Sequence, residues 1–367
     1  MTDPMVHRVG LVLASAGRPG TRRALREAGG TAALPPGWEV SARAELARAT
    51  ALGADVTIPG DGRFPPLLEE TADPPPALFL RGTFRSEDRL AIAVVGARRA
   101  TTWGAGFAER LAFDLARAGF TVVSGLARGI DAAAHRGALD GGGRTVALLG
   151  SGLDRIYPDE HRRLADRIAA RGALATELPF GTPPLGRHFP ERNRLIAGMS
   201  WATVVVEAAS GSGSLITAGL ALEAGRIVFA VPGPPGEPNA EGTNGLLRAG
   251  AHCCRGAQDV IEDLAPQLVG AAAAVAAERQ AKAETHDAIG GDAAVTGSSG
   301  DAPAERLSPL HRRILAALSP ARGADVDRIG RATGIAPGPL LSALLELELR
   351  GLVRQAPGAR FLSGGRF

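Results

Sequence analysis

Five short apolar runs in the middle of the chain show no alternation between apolar and polar positions. Runs of this kind are typical of strands that are covered on both faces, as in a parallel sheet. Stretches with helical spacing separate them, and this order predicts a Rossmann-like, doubly wound, mostly parallel α/β sheet. The runs span residues 91–95, 121–124, 145–149, 202–206 and 226–231. The helices are predicted at 104–118, 130–140, 159–171, 190–198, 214–224 and 243–250.

The regions on either side of this core differ from it in pattern. Residues 1–56 predict a small helical N-terminal segment, and Ala77–Leu80, early in the predicted core of 57–265, predicts an edge strand. Residues 266–305 are rich in alanine, glycine and serine, which bury little apolar area and therefore predict a flexible linker. Residues 306–367 carry three helical stretches and a hairpin, which predict a winged-helix domain.

Charge and cysteine content narrow the class of protein. The net charge of the 367 residues is only +3, so we expect any anion site to be local rather than spread over the surface. The two cysteines, Cys253 and Cys254, are adjacent, which excludes a disulfide framework and favours a reducing compartment. No signal-like or membrane-length apolar segment is apparent, so we expect a cytoplasmic protein with no membrane contact.

Two glycine-rich loops follow predicted strands and open predicted helices. Gly96–Arg99 combines backbone N–H groups at a helix start, which attract anions, with two arginines that can bind phosphate in a bidentate manner. Ser210–Ser214 alternates glycine with serine, a composition typical of anion-binding nests. A tight turn with solvated arginines is the alternative for Gly96–Arg99, and both interpretations stay open at this point.

An aromatic residue and two arginines stand together at the start of another predicted helix. Proteins hold single strands by stacking bases on aromatic rings while arginine follows the phosphates. Phe189 is followed by Arg192 and Arg194, of which one can face the sheet edge while the other is solvated or in an ion pair. Burial in the core is the alternative for Phe189, and Tyr157 is open to the same two interpretations, stacking or packing.

The usual marks of cofactor binding and catalysis are missing. The loop after Gly96 lacks the G-x-G-x-x-G spacing, Ser124 stands where a ribose-binding acid is expected, and Ser210–Ser214 has no P-loop lysine. Asp131 is best explained as a helix cap and His135 as a core or surface histidine rather than a catalytic base. We find no supported catalytic set and no metal-ligand spacing, and we therefore expect a binding protein with no catalytic residues, no metal and no cofactor.

The third predicted helix of the tail carries few side chains that read DNA. A helix that reads bases in the major groove presents arginine, lysine, asparagine or glutamine. Here the polar positions are Ser342, Glu346, Glu348 and Arg350. We expect this helix to contact protein rather than bases.

Six motifs occur in order between about residues 57 and 260. They are Val94–Arg98, Ser124–Asp131, Leu149–Asp154 with Tyr157–Pro158, Phe189–Gly198, Ser212–Ala218, and Val231–Gly233 with Gly242–Asn244. Together they resemble the DNA-processing protein A family, also called DprA or Smf. The linker and the tail resemble that family's C-terminal module, and the N-terminal segment resembles its small helical domain only weakly.

This resemblance implies a homodimer whose core binds single-stranded DNA and which loads a RecA-type recombinase during natural transformation or recombination. It implies that Arg98 holds a phosphate and that the loop Ser212–Thr217 donates backbone contacts. It also implies that Phe189 and the cluster of Arg192 and Arg194 lie along the strand-binding groove.

The family commonly has serine where Ala97 stands here, which removes one hydroxyl contact. A basic residue often precedes the aromatic residue in this family, and Arg187 is the nearest candidate.

The motifs and the resemblance together predict one set of DNA-binding residues. These are Gly96, Arg98, Arg99, Ser124, Gly125, Arg128, Gly150, Gly152, Arg187, Phe189, Arg192, Asn193, Arg194, Ser212, Gly213, Ser214 and Thr217.

Two other functions remain as alternatives. The core also resembles, distantly, the phosphoribohydrolases that release cytokinin-type bases, but Thr217 stands where their catalytic glutamate would fall. The second alternative is a transcription regulator that acts through the winged helix, which the acidic third helix disfavours.

Overall fold

The computed structural model describes residues 3–15, 34–268, 271, 307–319, 323–335, 337–356 and 360–363. The chain divides into two compact units, one ending at Ala257 and the other beginning at Gln258. In the described part of the chain, no helix is both long enough and apolar enough to cross a membrane.

A nine-stranded sheet forms the centre of the first unit, in the order β1-β2-β6-β5-β4-β3-β7-β8-β9. All neighbours from β6 to β9 are parallel, whereas β2 runs antiparallel to β6 and β1 antiparallel to β2. The prediction of a doubly wound, mostly parallel sheet is confirmed. The strands are β1 Asp55–Thr57, β2 Leu78–Gly82, β3 Ala91–Val95, β4 Thr121–Ser124, β5 Thr145–Leu148, β6 Ala173–Thr176, β7 Ala202–Val205, β8 Ile227–Ala230 and β9 His252–Cys253.

Successive strand residues point to opposite faces of the sheet, so apolar strands are apolar on both faces. Helices cover both of these faces. Leu78 and Leu80 pack into one apolar cluster, while Phe79 packs into the other. The helices of this unit are Pro4–Ser15, Trp38–Ala51, Pro66–Glu69, Thr102–Arg117, Ile130–Asp140, Arg162–Arg171, His188–Gly198, Gly213–Glu223 and Pro238–Arg248, with short 3-10 helices at Ser86–Arg89 and Asp159–His161.

One predicted strand has a different place in the sheet. The sequence predicts Ala77–Leu80 at an edge, but β2 lies between β6 and β1 and is therefore an interior strand. The edge prediction is wrong because β1, only three residues long, pairs with β2 and covers it. β1 also places the start of the sheet at Asp55, two residues before the predicted start of the core.

The two N-terminal helices, Pro4–Ser15 and Trp38–Ala51, pack onto the sheet. Val6, Val9 and Ala42 belong to the same apolar cluster as Phe79. Glu45 accepts a hydrogen bond from the backbone N–H of Phe180 at 2.6 Å, which ties the second helix to the loop after β6.

The predicted linker at 266–305 begins inside a helix. Residues 257–268 are helical, so the first three positions of the predicted linker continue a regular element. Apart from residue 271, the rest of the predicted linker lies outside the described residues.

The second unit contains the predicted winged helix. Ser308 caps the first helix by accepting a hydrogen bond from the N–H of His311 at 3.1 Å, and Asp325 caps the second in the same way. Ile314, Leu344 and Phe361 lie in its apolar core. Its elements are the helices Pro309–Ala317, Val326–Thr333 and Pro337–Leu349 and the antiparallel strands β10 Val353–Ala356 and β11 Arg360–Ser363.

Candidate nucleic-acid interface

A groove opens at the carboxyl ends of β3 and β7, where the winding of the sheet reverses. From β3 the chain proceeds through β4 and β5 to one side, and from β7 through β8 to the other. Loops that leave such a switch point diverge and leave a crevice in which α/β proteins bind ligands. The groove has a volume of about 780 Å³ and is lined by the loops after β3 and β7 and by the start of the helix His188–Gly198.

The loop after β3 forms one wall of the groove, and hydrogen bonds to Glu207 fix its position. The carboxylate of Glu207, at the end of β7, accepts hydrogen bonds from the backbone N–H of Thr101 at 2.9 Å and from its hydroxyl at 2.5 Å. Thr101 in turn caps the helix Thr102–Arg117 by accepting the N–H of Gly104 at 2.9 Å. Arg98 and Arg99, on the same loop, are exposed and line the groove. The loop therefore has a fixed base and a basic surface.

A cluster of two aromatic rings and one arginine forms another part of the wall. The guanidinium carbon of Arg98 lies 4.9 Å from the centre of the Phe189 ring, a cation–π distance. The ring of Tyr157 lies 5.8 Å from that of Phe189 at an angle of 49°, and Tyr157 is 42% exposed. A Cβ at Gly150 would lie 3.0 Å from the Phe189 ring, so Gly150 makes room for it. Phe189 is thus a groove residue rather than a core residue.

Arg192 lies at the base of the groove and is buried. It donates hydrogen bonds to the carbonyls of Gly125, at 2.8 Å, and of Leu148, which tie together the ends of β4 and β5. Burial lowers the pKa of Arg192 to about 10, and the nearby Asp131 opposes that shift. A Cβ at Gly125 would lie 2.5 Å from the guanidinium, so glycine is needed there.

Asp131 does not cap its helix as the sequence predicts. The N-cap position of the helix is Gly129, with no side-chain cap. The Asp131 carboxylate instead accepts the N–H groups of Gly125, at 3.1 Å, and of Ala127, at 3.3 Å, in the preceding turn. Burial raises the pKa of Asp131, and Arg192 is the main group that opposes this shift.

The loop after β7 forms the opposite wall. Ser212 is the N-cap of the helix Gly213–Glu223, and its hydroxyl lies 2.8 Å from that of Ser214. Asn193 donates a hydrogen bond from its side chain to the carbonyl of Gly213 at 3.3 Å, which joins this loop to the helix His188–Gly198. The N-terminus of the helix Gly213–Glu223 thus faces the groove, and helix N-termini favour anions.

The structure brings part of the predicted set together in the groove. The predicted residues that line it are Gly96, Arg98, Arg99, Phe189, Arg192, Asn193, Ser212, Gly213, Ser214 and Thr217. The predicted residues outside its lining are Ser124, Gly125, Arg128, Gly150, Gly152, Arg187 and Arg194. Their contact with DNA stays a prediction.

Several residues of this second group have other partners. The buried Ser124 donates to the carbonyl of Val94 at 2.7 Å. Arg128 forms two hydrogen bonds with Glu160, at 2.8 and 2.9 Å.

Arg194 and Arg192 have separate roles on one helix. Arg194 donates to the carboxylate of Glu177 and to the carbonyl of Asp73, the latter at 2.6 Å. The expectation that one of the two arginines faces the sheet edge and the other forms an ion pair is therefore confirmed.

Asn239 and Tyr157 are among the groove-lining residues that the predicted set lacks. Asn239 donates a hydrogen bond to the carbonyl of Arg99 at 3.0 Å and so steadies the basic loop from the side. Nothing in its immediate sequence signals this role. Tyr157 also lines the groove, and its position after a glycine-rich strand end is the signal that could have placed it in the set. Among the described residues, no group of His, Cys, Asp and Glu could hold a metal ion.

Comparison with known proteins identifies two matching family models. The model described as DNA recombination-mediator protein A matches residues 55–265, and the model described as DprA winged helix domain matches residues 299–359. Protein Smf of Synechocystis sp. is 38% identical over 313 residues, which cover 83% of this chain and 78% of that protein. Protein Smf of Escherichia coli is 46% identical over 209 residues, which cover 56% of each.

Two solved structures are also similar. The structure of DNA processing protein A from Streptococcus pneumoniae matches with a TM-score of 0.59 at 32% identity, covering 71% of this chain and 97% of that one. A structure of DNA processing protein A from Helicobacter pylori matches with a TM-score of 0.52 at 30% identity, covering 57% of this chain and 95% of that one. The second structure concerns the single-stranded DNA binding mode of the Helicobacter pylori protein.

Proposed function

The chain belongs to the DNA recombination-mediator protein A family, and from that premise we propose that its groove binds single-stranded DNA. The placement of Arg98 over the Phe189 ring, at the rim of an open groove, is the observation that carries this proposal. The single-stranded DNA binding mode of the Helicobacter pylori relative supports it.

The chemistry of the groove suits an unpaired strand. Arginine attracts the phosphates, and aromatic rings offer a surface on which any base can stack. Arg98 and Arg99 would bind the backbone on one wall, and the helix start at Ser212–Ser214 would bind it on the other. Tyr157 and Phe189 would receive bases between these two walls. Contacts of this kind do not depend on sequence, because they address phosphates and π-faces rather than base edges.

A duplex fits this arrangement less well. Its bases are paired and stacked inside the helix, so they cannot reach rings in a groove wall without being extruded, which costs a few kcal/mol. Single-stranded DNA presents its bases at no such cost. We therefore infer a preference for single strands over duplexes.

We further propose that the protein, as a homodimer in the cytoplasm, delivers the strand to a RecA-type recombinase. The description of the family as a recombination mediator supports this step. The measurement is the rate of recombinase filament growth on DNA that is already covered by a single-strand-binding protein. We expect the chain to accelerate this growth and to elute at twice its monomer mass.

The enzymatic alternative finds no specific support in the groove. Thr217, at the position of the phosphoribohydrolase glutamate, is buried and donates to the carbonyl of Gly213 at 3.5 Å. The carboxylates of Glu207 and Asp131 accept hydrogen bonds from the loops around them. We therefore propose a binding protein.

A titration by fluorescence anisotropy tests the proposal. Matched single- and double-stranded oligonucleotides are compared at several salt concentrations, with ATP and NAD as competitors. We expect tighter binding of single strands and a linear fall of log K with log salt, because phosphate contacts release counterions. Equal affinity for duplex would favour the regulator, and competition by a nucleotide or base release from a nucleoside monophosphate would favour the enzyme.

A further inference from the structure

An aromatic pair, the exposed Trp103 and the half-buried Phe107, lies on the helix Thr102–Arg117, outside the groove lining. Trp103 is 56% exposed, and its ring stacks on that of Phe107 with centres 5.3 Å apart and planes 26° apart. The opposite side of this helix is buried through Ala112 and Ala116. Large exposed aromatic surfaces on a protein commonly mark a binding site.

The position of Trp103 relative to the groove is fixed. Trp103 is the second residue of a helix that begins where the basic loop of the groove ends, and Thr101 caps that helix. Glu207 binds Thr101 through two hydrogen bonds, and a Cβ at Gly104 would collide with the Glu207 carboxylate. The first helical turn is therefore locked to the base of the groove.

The charges around the aromatic pair match a nucleic acid. Arg99, which lines the groove, precedes it and is exposed. Arg110 is exposed and lies seven residues after Trp103, which places it on the same helix face. From Trp103 to Arg110 the helix rises about 10 Å. One acid shares this face, the exposed Asp114 one turn beyond Arg110, and the exposed Arg117 follows it, so the face stays net basic.

We propose that Trp103 and Phe107 form a second stacking platform, which holds single-stranded DNA where it leaves the groove. Arg99 and Arg110 bind the phosphates on either side of the stacked base. This inference rests on the proposed function, since the strand that reaches the platform is the strand held in the groove. It extends the binding site along the outer face of the helix Thr102–Arg117.

Single-stranded DNA is favoured over a protein partner for two reasons. Arg99 lines the groove and stands only four residues before Trp103 in the sequence, so the basic loop of the groove leads directly into the helix that carries the platform. A ring backed by a second ring and flanked by arginines is the arrangement with which proteins hold unpaired bases.

Tryptophan fluorescence gives a direct test, because the chain has three tryptophans. Trp38 packs near Gly10, and Trp201 donates its ring N–H to the carbonyl of Arg89 at 2.8 Å, so both are engaged within the fold. In the full chain carrying Trp38→Phe and Trp201→Phe, Trp103 is the sole reporter. We expect its emission to be quenched by an oligonucleotide of about 20 nucleotides and much less by one of about 6, which fills only the groove.

Affinity measurements on two single variants at position 103 complete the test. Trp103→Ala is expected to weaken binding of the long oligonucleotide by about 5- to 100-fold, the range of one lost base stack. Trp103→Phe is expected to stay within about threefold of the unmodified chain, since a ring remains. Circular dichroism checks that both variants are folded. If one of them is unfolded, the quenching experiment, in which Trp103 is kept, decides the question.

The outcomes separate this inference from the proposed function. If the chain binds single strands, needs Arg98 to do so, and yet shows neither quenching nor a Trp103→Ala effect, the platform is overturned and the groove stands. If the chain binds no single strand at all, the proposed function fails and the platform fails with it.

Discussion

The groove of the first unit and the third helix of the winged-helix unit are both places where such folds can bind DNA, yet their charges differ. In the groove, Arg98 and Arg99 are exposed and basic. On the third helix, the acidic Glu346 lies 3.2 Å from His311 and 3.7 Å from Arg350. Its partners are therefore residues of the same unit. The difference favours the groove over the third helix as a site for a polyanion, in line with the proposed function.

The two units also differ in how they treat buried charge. Arg192 of the core has two carbonyl acceptors and Asp131 nearby. Glu348 of the tail accepts one hydrogen bond, from the N–H of Gln355 at 3.1 Å, while its second carboxylate oxygen has none among the described residues. Burial raises the pKa of Glu348 to about 7. Arg192 thus has acceptors for its buried charge, whereas Glu348 favours a neutral carboxyl.

The largest expected effect follows from removing the buried charge of the core. Arg192→Met should lower the free energy of unfolding of the core by about 3–5 kcal/mol, because Asp131 loses its nearby cation and two carbonyls lose a donor. Urea unfolding followed by tryptophan emission measures this, since Trp38, Trp103 and Trp201 all lie in the first unit.

A matched control for this change is Arg128→Ala, which removes an exposed arginine paired with Glu160. It should alter the unfolding midpoint very little, because exposed ion pairs contribute little. If Arg192→Met were as mild as Arg128→Ala, the buried network would not be what holds the groove.

The next effect concerns the exposed arginines of the two units. Arg98→Ala should weaken single-strand binding about 10- to 100-fold for all sequences alike, because one charge-assisted contact to phosphate is lost. Arg354→Ala, in β10 of the winged helix, is the matched change of an exposed arginine and should stay within about twofold. Anisotropy titrations measure both. Equal losses for the two variants would remove the distinction between groove and tail.

His135 of the core and Glu348 of the tail should make stability depend on pH in opposite directions, and each is tested by its own variant. The ring of His135 is buried, with Nδ1 2.6 Å from the hydroxyl of Thr145, and burial lowers its pKa from 6.5 to about 3. Because the unfolded chain binds this proton more readily, the core loses about 1.4 kcal/mol for each pH unit below about 6.5. His135→Gln should flatten this dependence in tryptophan-monitored unfolding. An unchanged slope would show that other groups cause it.

Glu348 gives the response of the tail, with the opposite sign. Because the folded tail holds the proton more tightly than the unfolded chain, its stability is full below the ordinary pKa of 4.5 and is lost as the pH rises through about 7. The loss is at most about 1.4 kcal/mol per pH unit in that window. Hydrogen exchange of peptides from the tail measures it in the full chain. Glu348→Gln should remove the dependence, and its persistence would contradict this assignment.

The smallest effect is expected from deleting residues 306–367. If strand binding belongs to the groove, affinity for single-stranded DNA should change by less than about threefold, and the salt dependence should keep its slope because the same phosphates are bound. Anisotropy at several salt concentrations checks both. A near-total loss of binding would move the site to the tail and reverse the comparison.

The sequence predicted the strands that lie in longer apolar, β-branched runs and missed those that do not. β3, β4, β5, β7 and β8 were expected because their runs are buried on both faces. β6, with the sequence Ala-Leu-Ala-Thr, has few β-branched residues, and β1 and β9 have only three and two residues. Pairing with neighbours, rather than local propensity, makes these segments strands.

The candidate site was predictable as a set of loops but not in its individual contacts. Glycine and hydroxyl residues at strand ends located the groove, because parallel strands place their carboxyl ends at one edge. The separate fates of Arg192 and Arg194 depend on which helix face packs on the sheet. The role of Asn239 depends on a contact 140 positions away in sequence. Neither could be obtained from local spacing.

Glu207 connects the two walls of the groove. Its carboxylate is bonded to Thr101 in one wall of the groove, while its backbone begins the other wall. Glu207 is buried and does not line the groove, yet it links the two walls and so sets the distance between them. Shortening it to aspartate would alter the width of the cleft while changing none of the residues that line it. Homologues can thus differ in binding affinity through replacements of buried residues, which a comparison of surface residues alone would miss.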